Sequence, residues 1–106
     1  NDVNAINNLG AVYLNSGKIP QAVEVFKKAI AISPGYVNGY SNLGLCYYEL
    51  KQYQACIEMI TKALQLDPKD VKDIPYLALC YKGLGNMPEA LKYEAIAKQY
   101  YSNFKL

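Results

Sequence analysis

Displaced by 34 residues, the chain lies on itself: Leu9 falls on Leu43 and Leu77, Tyr13 on Tyr47 and Tyr81, and Ala29 on Ala63 and Ala97. Gly10, Gly44 and Ala78 coincide as well, as do Ala22, Cys56 and Ala90, and Pro34 with Pro68. A fixed period of roughly twenty to fifty residues restricts the fold more than any other property, because each copy is then one supersecondary unit that buries its apolar face against its neighbours. Val3, Val37 and Val71 open the copies, which run 3–36, 37–70 and 71–104, so residues 1–106 read as one array and not as two independent cores.

Inside each copy the apolar residues recur at three and four positions, as in Ile6, Leu9, Gly10, Tyr13 and then Ala22, Val25, Phe26, Ala29, Ile30. That spacing is helical, so each copy is predicted to be two amphipathic helices joined by a turn. The turns fall at Asn15-Ser16-Gly17-Lys18 and at Gly83-Leu84-Gly85-Asn86, where glycine can end a helix in the left-handed conformation. Pro20 and Pro88 suit the first turn of the second helices, and Pro34 and Pro68 end those helices. Asp73 is expected to cap the first helix of the third copy, because Pro75 suits a first turn and not a helix interior.

These residues resemble the tetratricopeptide repeat family, in which a large residue, two spacers, Leu-Gly, two spacers and Tyr are followed by Ala, three spacers, Phe, and then Pro. The chain reads Ile6-x-x-Leu9-Gly10-x-x-Tyr13, Ala22-x-x-x-Phe26 and Pro34, then Tyr40-x-x-Leu43-Gly44-x-x-Tyr47 with Cys56, Ile60 and Pro68. The third copy keeps Ile74, Leu77, Ala78, Tyr81 and Ala90 but carries Glu94 for the aromatic and Ser102 for the proline. The resemblance implies an all-α fold: three tandem helix-turn-helix repeats stacked as a right-handed superhelical solenoid, with the first helices lining a concave groove.

What the chain lacks narrows its chemistry. It contains no His, Arg or Trp. Without His there is no imidazole base at neutral pH and no mixed Cys/His zinc site; without Arg the bidentate fork that reads phosphate or guanine is missing. Eleven Lys stand against nine acids for a net charge of +2, and no like-charged run exceeds Lys27-Lys28. Nucleic acid, membrane surfaces, cofactors and metals are therefore not expected as partners, and no constellation supports catalysis. Asp67, Asp70 and Asp73 gather at a copy boundary, where turn and cap residues belong. Cys46, Cys56 and Cys80 lie in apolar helical patterns and read as buried free thiols of a reducing, cytoplasmic compartment. The first residue is Asn1 and not Met, which reads as a trimmed piece whose lost ends could carry targeting signals.

A protein or peptide in the groove is the function the resemblance implies. Carried over by position, the groove holds Asn8, Asn42, Leu45, Tyr48, Lys72, Tyr76, Leu79 and Lys82 as candidate partner-binding residues, with amides for a peptide backbone and aromatics for apolar contact. Some members clamp the acidic C-terminus of heat-shock chaperones with Lys, Asn, Asn, Lys and Arg; here Asn42 and Lys72 match, but Asn7, Ala11 and Tyr76 occupy the other three places, so that clamp is not expected. The alternative is a structural segment of a longer solenoid, or a self-assembling element without a peptide ligand. At the C-terminal end the last helix is expected to continue past Ser102, with Glu94 turning toward solvent and Tyr100, Tyr101 and Phe104 forming a strip for a further helix or a neighbouring copy.

Overall fold

A computed structural model describes residues 2–106. Six helices follow one another: α1 (Val3–Asn15), α2 (Ile19–Ile32), α3 (Val37–Glu49), α4 (Tyr53–Leu66), α5 (Ile74–Gly83) and α6 (Met87–Tyr100), and no strand occurs among the described residues. They pair as α1·α2, α3·α4 and α5·α6, and consecutive pairs stack through α2·α3 and α4·α5. The stack is elongated, 41 × 26 × 21 Å. α3 also touches α1 and α5, whereas α2, α4 and α6 do not touch one another, so the first helices of the three pairs form the inner side of the curve.

Local signals set the helix ends. The Asp2 carboxylate accepts from the Asn4 and Ala5 amides and starts α1. Pro20, Pro75 and Pro88 sit in the first turns of α2, α5 and α6. Gly17 and Gly85 take φ of +78° and +79° at the turns within pairs one and three; the same place in pair two is held by Lys51 at φ +60°, a conformation that strains a side-chain-bearing residue. The third copy departs from the others. Its first helix begins at Ile74 and not at Val71, because residues 71–73 form a turn in which the Ile74 amide bonds the Val71 carbonyl. Asp73 stands at the cap position as expected, but its carboxylate makes no capping hydrogen bond.

Within a pair the helices close to contact because glycine faces a large residue. A Cβ on Gly10 would lie 2.5 Å from Phe26 Cε1, and one on Gly44 would lie 2.8 Å from Ile60 Cγ1. Between pairs, one cluster joins Ala22, Val23 and Phe26 to Leu43 and Cys46, and the next joins Cys56, Ile57 and Ile60 to Leu77 and Cys80. The three cysteines are free and buried. Cys46 and Cys80, equivalent by repeat, are not the pair that meets: Cys80 Sγ lies 2.9 Å from Cys56 Sγ across the α4·α5 interface.

The C-terminal expectation is corrected. The last helix stops at Tyr100, and Tyr101 adopts the extended conformation that Ser33 and Asp67 take at the ends of α2 and α4. No proline is needed to break the helix, because the chain turns back: the Phe104 amide bonds the Tyr101 carbonyl and the Leu106 amide bonds Glu94 Oε2 at 3.1 Å. Glu94 is accordingly mostly covered and paired with Lys98 at 3.7 Å, not turned to solvent. Tyr100 and Tyr101 stay exposed, while Phe104 and Leu106 are half-buried.

Candidate functional site

Along the inner side, side chains in or just before successive first helices reach each other. Asn42 Nδ2 donates to Asn7 Oδ1 at 3.0 Å, Lys72 Nζ donates to Asn38 Oδ1 at 3.1 Å, and Tyr36 Oη donates to Asn4 Oδ1 at 3.0 Å. Asn7 is buried, so its pairing with Asn42 satisfies a desolvated amide and ties α1 to α3. Asn8 points out, exposed, without taking part in that bond. Lys72 also lies 3.6 Å from Asp70 Oδ2, which leaves its ammonium already engaged; Lys82 is exposed.

Farther along the same side a cavity of about 350 Å³ opens between the three first helices, lined by Leu14 and Asn15 of α1, Leu45 and Glu49 of α3, and Tyr76 of α5. Tyr76 meets Tyr48 edge to face at 5.2 Å between centroids, and Tyr48 meets Tyr53 at 6.3 Å. Both Tyr48 and Tyr76 pack on the Cys56–Leu77 cluster, and burial, reinforced by the neighbouring Tyr53, raises the Tyr48 phenol above its ordinary range. Leu79 is half-buried on α5. Of the candidate residues the structure brings Leu45 and Tyr76 to one cavity, with Tyr48 packed against Tyr76 behind its wall, whereas Lys72 lines a separate cleft beside the repeat loops and Asn8 lines neither. Glu49, the carboxylate of that cavity, falls at a groove position of the repeat, as Leu14 and Asn15 do, but was not among the candidate partner-binding residues.

Beneath the inner side lies a polar contact that repeat arithmetic does not show. Ser41 of α3 and Asp73 before α5 are both buried, and the Ser41 hydroxyl faces the carboxylate without completing a hydrogen bond. Burial raises the Asp73 carboxyl above the usual carboxylate range, against the opposing pull of Ser41 and of the Lys72 charge. Among the described residues no group of acids and thiols could hold a metal ion, and no helix is long and apolar enough to cross a membrane.

Three stacked helix pairs with their first helices on one shared face define a helical-repeat array. Two family models, "Tetratricopeptide repeat" on residues 37–70 and "TPR repeat" on residues 10–51, together span more than half of the chain, and it belongs to the tetratricopeptide repeat family. No curated protein sequence matches it. Among solved structures, MamA is similar with a TM-score of 0.84 at 26% identity, over 94% of this chain and 60% of that one. The Hsp90 co-chaperone Cns1 from Saccharomyces cerevisiae gives 0.85 at 26%, over 92% of this chain and 32% of Cns1. The TPR2B domain of yeast Sti1, in its complex with pHsp70, gives 0.86 at 23%, over 92% of this chain and 78% of that one, and shows the likeness of fold alone. The chain spans less than two thirds of MamA and of Cns1.

Proposed function

We propose that the chain is a protein-interaction module whose inner side receives an extended segment of a partner protein. The observation that carries this is the cavity shared by α1, α3 and α5, where aromatic and aliphatic side chains stand beside the Glu49 carboxylate, which makes no ion pair among the described residues. A cleft in which polar groups stand beside aromatic and aliphatic side chains is a usual form of a peptide site. Tyr48, Tyr76, Leu45 and Leu79 supply apolar contact, Asn8 and Lys82 exposed polar contact, and Asn42 and Lys72 positions partly spent on holding the helices to each other. The fold that holds pHsp70 in Sti1 makes such a use available to this chain. An acidic chaperone terminus is disfavoured, since Asn7 is bonded to Asn42 and Lys72 to Asn38 and Asp70. Three buried free thiols support a reducing, cytoplasmic setting.

The test is a peptide selected from a random display library on the intact chain and titrated by fluorescence anisotropy. Glu49→Lys and Tyr76→Leu are each expected to weaken it by about tenfold or more, as for loss of a contact worth roughly 1–3 kcal/mol. Asn42→Ala is a poor probe, because it orphans buried Asn7 and lowers stability along with binding. Unchanged affinity in both variants would place the ligand elsewhere on the array.

A further inference from the structure

Glu49 runs against the local rules of the helix that carries it. It is the last residue of α3, where the negative end of the helix dipole disfavours an anion, and no cation compensates it among the described residues. The ion pairs that form join Lys72 to Asp70, Lys92 to Glu89 and Lys98 to Glu94, and leave Glu49 out. The first helices are otherwise almost without charge: α1 has none, α3 has Glu49 alone, and α5 has Lys82 alone. Lys82 does not line the cavity of the inner side, so Glu49 is the one charged group on a wall shared with Leu14, Asn15, Leu45 and Tyr76. Its field reaches into the fold as well, since burial and, after it, Glu49 push the Cys46 thiol up to about 11. The carboxylate thus stabilises neither its own helix nor a neighbour.

We propose that this cavity takes a basic side chain, lysine or arginine, from the extended segment that the inner side receives, its cation held between the Glu49 carboxylate and the Tyr76 ring. This rests on the peptide site proposed above and adds the chemistry of one residue of the partner. A carboxylate beside an aromatic ring is complemented by a cation, which pairs with the acid and is drawn to the face of the ring by its quadrupole. The long aliphatic stem of lysine or arginine suits the remaining walls, Leu14 and Leu45, and the Asn15 amide oxygen can accept a further N–H. Tyr48, edge to face with Tyr76 at 5.2 Å, keeps that ring in place.

The same arrangement rejects other side chains. An acidic residue would meet Glu49 and the negative end of α3 together. An apolar residue would fill the space but strip water from the carboxylate without replacing it.

The test uses the peptide selected from a random display library on the intact chain. Sequences enriched by the wild type are expected to share a lysine or arginine at one position. Methionine at that position should weaken the peptide by about tenfold and glutamate by more, and added salt should weaken the basic peptide but not its methionine counterpart. Glu49→Gln should bind the basic and methionine peptides alike. Glu49→Lys should lose the basic peptide and enrich an acidic residue at the same position, while its urea midpoint equals or exceeds that of the wild type, because a cation suits the end of α3. Binding is thereby separated from folding. Selected peptides that lack a basic residue yet weaken on Tyr76→Leu would overturn the basic partner and leave the peptide site standing. A basic peptide bound equally well by Glu49→Lys would place its cation elsewhere, and a lowered midpoint in that variant would make Glu49 a residue of the fold; either result overturns the proposal. A library that yields no binder, or binders indifferent to both Glu49 and Tyr76, would overturn the site and the basic partner together.

Discussion

Replacing Gly10 by alanine tests the close approach of α1 to α2. The new Cβ would sit 2.5 Å from Phe26 Cε1 and 2.8 Å from Cδ1 and Cζ, inside any tolerable carbon–carbon contact. Phe26 is completely buried, so its ring cannot yield toward solvent, and α1 must move away from α2. Overpacking of this kind costs about 1–3 kcal/mol. Alanine in a helix interior regains about 1 kcal/mol over glycine. With the ring in direct collision the cost lies in the upper part of its range, leaving a net loss of about 1–2 kcal/mol. In urea, with a slope of about 1–3 kcal/mol/M for a domain of this size, the midpoint should fall by roughly 0.5–1 M at unchanged slope. Phe26→Leu should cost less in the Gly10→Ala background than in the wild type, because the smaller side chain vacates the colliding volume. Gly35→Ala serves as the control, since a Cβ there meets nothing within 4 Å. If Gly10→Ala unfolds at or above the wild-type midpoint, or if the two substitutions are additive, glycine is not what permits the approach of α1 to α2.

Lys51→Gly should stabilise the chain by about 0.5–1 kcal/mol, because it relieves a side chain held at φ +60° where the other two pairs use glycine; a thermal melt no higher than wild type would refute the strain. The thiols should be inert in the native state. Burial, with Glu49 adding to it, pushes Cys46 up to about 11, and the bond with Cys80 together with burial pushes Cys56 up, so Ellman's reagent should find all three only after denaturation. Asp73 binds its proton more tightly folded than unfolded, so its contribution to stability is present at low pH and is lost as pH rises through its elevated folded value. Asp73→Asn should therefore gain on the wild type as pH rises from below the carboxylate range toward neutrality, read as the difference between their urea midpoints; a difference flat in pH would refute the burial of a charge there.

The 34-residue period, with proline and glycine at its joints, was sufficient by itself for six helices, their pairing order and most of their limits. Those signals act within a turn or two of chain: Pro20 and Pro88 start helices, Gly17 and Gly85 end them, and the 3–4 spacing selects the buried stripe. Small residues at fixed spacing, Gly10 and Gly44, made a close approach of the paired helices legible, but that they face Phe26 and Ile60 was decided by the packing. The candidate site was visible as a face but not as a cavity. Tyr48, Tyr76 and Leu45 could be placed on the inner side, whereas the inclusion of Glu49 and the engagement of Asn42 by Asn7 depend on how far α1, α3 and α5 lie apart. Only the tertiary structure decided that Leu9, Leu43 and Leu77, identical by every local criterion, are 48%, 2% and 1% exposed. It also decided that Cys80 meets Cys56, that Ser41 and Asp73 share a buried space, and that the tail turns back where a helix was expected to run on. The reason is the same in each case: helix formation is governed by neighbours a few residues away in sequence, but burial is governed by whichever unit stacks alongside, and identical residues meet different neighbours at the middle and at the ends of a linear array.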